Sequence, residues 1–209
     1  MIDIKRKTPK QSRSKVVVDA ILEATARILV NKGMKNLTTN HIAELAGVSI
    51  GSLYQYFANK ESIVAELIES HKEKEFEKIS KIMACLENNL TCQKSALIRK
   101  NNIRLVIKSF IDVHLTNLKL AQILQEQTQH ISKFQTLKNT TSFLTSKLHS
   151  LLDKVDYTAR KENFTRAYIL ASSLDALIQK TLIEQPQLFT KPEFIDELVN
   201  LSIGYLQPP

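Results

Sequence analysis

Glycine is scarce in this chain and unevenly placed. Only four of 209 residues are glycine, and two of them, Gly47 and Gly51, fall in the stretch HIAELAGVSIGSLYQYFANK, residues 41–60. A glycine in a helix interior costs about 0.5–1 kcal/mol relative to alanine. A chain that otherwise avoids helix breakers therefore uses these two for a turn or for close approach. Prolines number five, and apolar side chains make up 43% of the chain. That is enough for a sizeable core, and the apolar residues recur at helical spacing over long runs. No segment shows the regular turn signals of a β-meander. The expected fold class is all-α.

The first helix begins near Gln11 or Ser12, with Val17, Ala20, Ile21, Ala24 and Ile28 on one face. It ends at Asn31-Lys32-Gly33, where Gly33 is expected in the left-handed conformation that closes helices. Thr38 or Thr39 caps a second helix over about 39–46, and Ser49 caps a third that reaches about Tyr56. Asn59 caps a long fourth helix to roughly Leu86. The pattern loosens from Cys85 to Asn102. Further helical runs cover Ile103 to Val113, Leu118 to Gln127 and Phe134 to Leu152. Another starts at Asp156 or Thr158 and lasts until Glu184, where Gln185-Pro186 stops it. Pro192 opens a last helix.

The second and third helices, joined through Gly47, make a helix-turn-helix. Ile42, Ala43 and Ala46 face inward, with Val48 and Leu53 between the two helices. In such a unit the second helix enters the major groove with its N-terminal residues at the base edges. Gly51 stands there, and a position without a side chain lets the backbone approach DNA. Charge agrees with this reading. The net charge is +8, and residues 1–15 hold six basic side chains (Lys5, Arg6, Lys7, Lys10, Arg13 and Lys15) against Asp3 alone. A basic block at one end of an otherwise balanced chain attracts phosphate.

Residues 37–67, LTTNHIAELAGVSIGSLYQYFANKESIVAEL, resemble the N-terminal domain of TetR-family transcriptional regulators. The matching motifs are Thr38-Thr39, the turn Ala46-Gly47-Val48-Ser49, the run Gly51 to Phe57, and Lys60-Glu61. The resemblance implies an N-terminal three-helix helix-turn-helix DNA-binding domain with a basic arm (residues 1–60) and a C-terminal helical ligand-binding and dimerisation domain (61–209). It further implies that Thr39 and Lys60 grip phosphates and that Tyr54 sits against backbone or base. Tyr56 stands where many members carry a phosphate-binding histidine. It keeps a hydrogen-bond donor without the charge. Asn40, Ser52 and Gln55 are the expected direct readers, and Ser49 and Gly51 complete the contact set. Ile50 replaces the polar or basic residue common at its position. It makes no hydrogen bond to a base but can touch a thymine methyl.

A recognition helix this short makes few contacts alone, so two copies on a homodimer are expected to read a palindromic double-stranded operator. Residues 158–184 are apolar almost all round, and such a helix needs partners on every face. The resemblance implies that the last two helices pair with their copies. It also implies an unidentified small-molecule effector in the C-terminal body, with Phe110, His114, Tyr168 and Ser172 as candidate contacts. The expected function is a ligand-responsive repressor. The alternative is a ligand-independent activator or architectural DNA-binding protein.

Other classes find no support in the sequence. There is no nucleophile–base arrangement, metal-ligand spacing or phosphate loop, so neither catalysis nor a cofactor is expected. Cys85 and Cys92 form no CxxC, which fits a reducing, cytoplasmic setting. Asp19 and Glu23 interrupt the apolar pattern behind the basic N-terminus, so no signal peptide is expected. A membrane role is not expected either, because the arm lacks interleaved apolar anchors.

Overall fold

A computed structural model of the protein describes residues 12–90, 96–131, 140–154 and 163–206. Among the described residues there are nine α-helices and no strand: α1 (Ser12–Lys32), α2 (Thr39–Ala46), α3 (Ile50–Tyr56), α4 (Lys60–Leu90), α5 (Ala96–Leu115), α6 (Leu118–Ile131), α7 (Thr140–Lys154), α8 (Asn163–Glu184) and α9 (Pro192–Leu206). Short 3-10 turns follow α1 and α8. The all-α architecture read from the sequence is the one observed, with an N-terminal helix-turn-helix followed by a helical C-terminal part.

The helix ends follow local chemistry. Thr38 accepts a hydrogen bond from the His41 amide at 3.2 Å, and Ser49 accepts one from the Ser52 amide at 3.0 Å. Asn59 and Ser62 cap the start of α4 reciprocally. The Ser62 amide donates to Asn59 Oδ1 at 2.8 Å, and the Asn59 amide donates to Ser62 Oγ at 3.3 Å. Each bond satisfies an amide that the first helical turn leaves without a partner. Gly47 adopts φ 67°, ψ 29°, and the Val48 amide reaches back to the Ala43 carbonyl at 3.0 Å. That pairing closes a helix with a left-handed residue. Gly33 differs from expectation. Its φ is 73° but its ψ is 171°, so it uses an extended conformation open to glycine and turns the chain directly into the 3-10 segment.

Several boundaries also differ. Helix α4 continues to Leu90, and α5 already begins at Ala96 within the stretch expected to loosen. Asparagine lowers helix propensity only mildly, so Asn88, Asn89, Asn101 and Asn102 ride within helices fixed by their neighbours. Helix α6 runs on to Ile131. The starts expected at Phe134 and at Asp156 or Thr158 lie outside the described residues.

The chain divides into two compact units, one of residues 1–72 and 119–137, the other of 73–118 and 138–209. The first is built on one buried cluster. Ile21, Ile28 and Leu29 of α1 meet Leu37, Ile42 and Ala43, Leu53 of α3, Phe57, and Ile63, Val64 and Leu67 of α4. Leu120 and Leu124 of α6 belong to the same cluster, so a helix from beyond residue 118 completes this core.

In the second unit α7 lies along α8, and α5 along α9. Phe76 of α4 and Phe143 of α7 stack with ring centres 4.6 Å apart. Arg104 of α5 pairs with Asp196 of α9. Thr141 donates to Asp175 at 2.8 Å, and Arg166 donates to the Tyr205 carbonyl at 3.0 Å. No helix among the described residues is long and apolar enough to cross a membrane.

Candidate nucleic-acid interface

Helix α3 is held from one side only. Leu53 and Phe57, four residues apart, are fully buried in the first unit's core. The opposite face carries Ile50, Gly51, Tyr54 and Gln55, all exposed. At 100° per residue these four span less than half a turn of the helix, so they form one contiguous stripe. Ile50 is 39% and Tyr54 40% exposed.

The polar groups around the stripe are organised before any partner arrives. Tyr54 Oη lies 3.1 Å from Thr39 Oγ1, joining α3 to the first turn of α2. Ser49 and Ser52 hydroxyls pair at 2.8 Å. Asn40 is exposed beside Thr39. Lys60 is half-buried and donates from Nζ to the Leu37 carbonyl at 3.3 Å. One of the three ammonium donors is thereby used, which fixes the stem and leaves two. A Cβ at Gly51 would meet only Ser49 Oγ, at 3.9 Å. The fold therefore does not require glycine at residue 51. Tyr56 is not an outward residue of the same kind. It lies about 200° round the helix from Tyr54 and packs half-buried against the core. Of the basic arm only Lys15 has a described side chain, and it is exposed.

The stretch that carries these features is similar to known proteins. Residues 21–67 match the tetR family of bacterial regulatory proteins. The N-terminal domain belongs to the tetR family. Curated relatives of this tetR-family domain include the HTH-type transcriptional repressor KstR2 of Mycolicibacterium smegmatis, 38% identical over 61 residues, which are 29% of each chain. Another is the fatty acid metabolism regulator protein of Bacillus subtilis, 30% identical over 125 residues, covering 59% of this chain and 62% of the relative. The matches thus span less than two thirds of those relatives' length. A solved TetR-family transcriptional regulator from Pectobacterium atrosepticum superposes with a TM-score of 0.68, covering 97% of this chain and 100% of that one, at 13% identity. At that identity the likeness is one of fold.

The candidate effector residues fall into two groups in the second unit. Phe110 and His114 are buried one turn apart on α5. His114 Nδ1 approaches Glu75 Oε1 of α4 at 3.2 Å without the alignment of a hydrogen bond. Its neighbour is thus a carboxylate of another helix. Glu75 sits in the charged run KEKEFEK, residues 72–78, where nothing local separates it from its solvated neighbours. Tyr168 and Ser172 lie on α8, with Tyr168 55% exposed and Ser172 half-buried. Ile169 and Leu177 are exposed as well; they lie about 80° apart round α8, with Leu177 opposite Tyr168.

Proposed function

We propose that the protein is a DNA-binding transcriptional regulator, a dimeric repressor released from a palindromic operator by a small-molecule effector, working in the cytoplasm. The observation that carries the reading is the stripe Ile50, Gly51, Tyr54, Gln55 on a capped, core-anchored helix α3. Thr39, Asn40, Ser49, Ser52 and Lys60 join it as contacts to phosphate or base, and Tyr56, half-buried on the other side of α3, keeps a hydroxyl as a further candidate contact. Residues 1–60 carry the DNA contacts, and the helices of 61–209 carry dimerisation and regulation.

Dimerisation is supported by Tyr168, Ile169 and Leu177 of α8 and Leu201 of α9, large apolar side chains left exposed. Exposed apolar clusters of this kind mark protein interfaces. The named relatives include repressors, which supports repression. The effector acts only by binding two conformations unequally, and Phe110 and His114 inside the helical body, with Tyr168 and Ser172 on α8, are its candidate contacts. Gel shifts with the DNA flanking the gene test the proposal. A palindromic site bound in preference to random duplex, at a stoichiometry of two chains per site, is expected. Equal binding to any duplex ends the repressor reading.

A further inference from the structure

The exposed stripe of α3 contains no charge. Residues 50–56 read IGSLYQY. The hydroxyls at its margins are already engaged, Ser49 with Ser52 at 2.8 Å and Tyr54 with Thr39 at 3.1 Å. Two side chains are left to meet base edges directly, Ile50 at the first helical position and Gln55 one and a half turns later.

Their chemistry restricts what they can read. In the major groove, guanine is most commonly recognised by arginine or lysine on O6 and N7, and this helix has neither. The single apolar feature of the base edges there is the C5-methyl of thymine. Ile50, 39% exposed at the end of the helix that faces the bases, gains only from that methyl. The carboxamide of Gln55 has one donor side and one acceptor side, the pattern that matches adenine N6 and N7. Gly51 lies between Tyr54 and Gln55 round the helix and adds no Cβ to the stripe, so the helix backbone next to Ile50 and Gln55 can come close to the base edges.

On the reading of α2 and α3 as the DNA-contacting pair, we propose that α3 reads A·T base pairs, with Ile50 against a thymine methyl and Gln55 on an adenine, and that it makes no guanine contact. The operator half-site is then A·T at the pairs this helix touches.

The test begins with the intact protein and selection of its preferred site from randomised duplexes. In the selected site each thymine is replaced in turn by deoxyuridine, which lacks the methyl, and each adenine by 7-deazaadenine, which lacks N7. One uridine should weaken wild-type binding about fourfold, the equivalent of one buried methyl group. One deazaadenine should weaken it about tenfold. Each loss should vanish in the matching variant, Ile50→Ala for the methyl and Gln55→Ala for N7. The DNA substitutions read out on wild-type protein, so the result stands even if a variant folds poorly. Indifference to every uridine overturns the proposal. So do guanines whose 7-deaza replacement weakens wild-type binding but not that of an α3 variant. Both outcomes leave the regulator reading in place, whereas selection that yields no preferred site removes both together.

Discussion

Tyr54 Oη and Thr39 Oγ1 lie 3.1 Å apart across the helix-turn-helix, between residues 15 positions apart in sequence. The bond ties the exposed phenol of α3 to the first turn of α2, and under the proposed function it holds two DNA-contacting hydroxyls in one arrangement before binding. Pre-set contacts need less ordering when the partner arrives. Tyr54→Phe should therefore lower operator affinity about three- to tenfold, the scale of one net hydrogen bond. Stability should stay within about 0.5 kcal/mol, as for other exposed changes. Fluorescence anisotropy and urea unfolding on the same preparation separate the two effects.

Gly47 in the turn and Gly51 in α3 should respond in opposite directions to alanine. Gly47 has φ 67°, where a Cβ costs about 1–2 kcal/mol, so Gly47→Ala should unfold at lower urea. Gly51 has helical geometry and open space around a Cβ. Gly51→Ala should gain about 0.5–1 kcal/mol of stability while binding DNA more weakly. A Gly51→Ala protein that binds as tightly as wild type would show that backbone approach to DNA is not the reason for this glycine.

Leu124 of α6 is buried in the same cluster as Phe57 and Leu53. Leu124→Ala should cost about 2–5 kcal/mol, seen as a lower midpoint when unfolding is followed in the α1–α4 core. An unchanged midpoint would mean that α6 adds little to that core.

Lys60 keeps two ammonium donors beyond its bond to the Leu37 carbonyl. If it meets a phosphate, Lys60→Ala should weaken binding evenly across operator sequences. It should also reduce the slope of log affinity against log salt by about one. A titration series between low and physiological salt measures this directly, and an unaltered slope assigns Lys60 to the fold alone.

Ile169 and Leu177 are both exposed on α8, about 80° apart round the helix. A carboxylate buried in an apolar interface without a partner is strongly unfavourable. Ile169→Glu should therefore leave a folded monomer in sedimentation analysis and lose cooperative operator binding. A dimer of wild-type strength would move the interface elsewhere.

What the sequence made legible was local. The caps at Thr38, Ser49 and Asn59 and the turn at Gly47 are each decided by chemistry within a few residues, and they fall where the residues indicate. Helix ends without such signals did not. Helix α4 outran its expected end because Asn88 and Asn89 only mildly oppose a helix already propagating. Contacts between distant segments left no mark in periodicity. Lys60 reaches the Leu37 carbonyl across 23 positions, Tyr56 turns partly into the core, and His114 faces Glu75 from another helix. Each depends on packing that no window of neighbouring residues encodes.

The core of the first unit borrows Leu120 and Leu124 from a helix that the 46 residues of Glu73–Leu118 separate from Met1–Lys72. A hybrid regulator made by grafting only residues 1–72 onto another body would leave an oily gap unless the recipient supplied a matching helix. In this chain, residues 1–72 and α6 are therefore tied to one another by packing although a stretch of other sequence separates them.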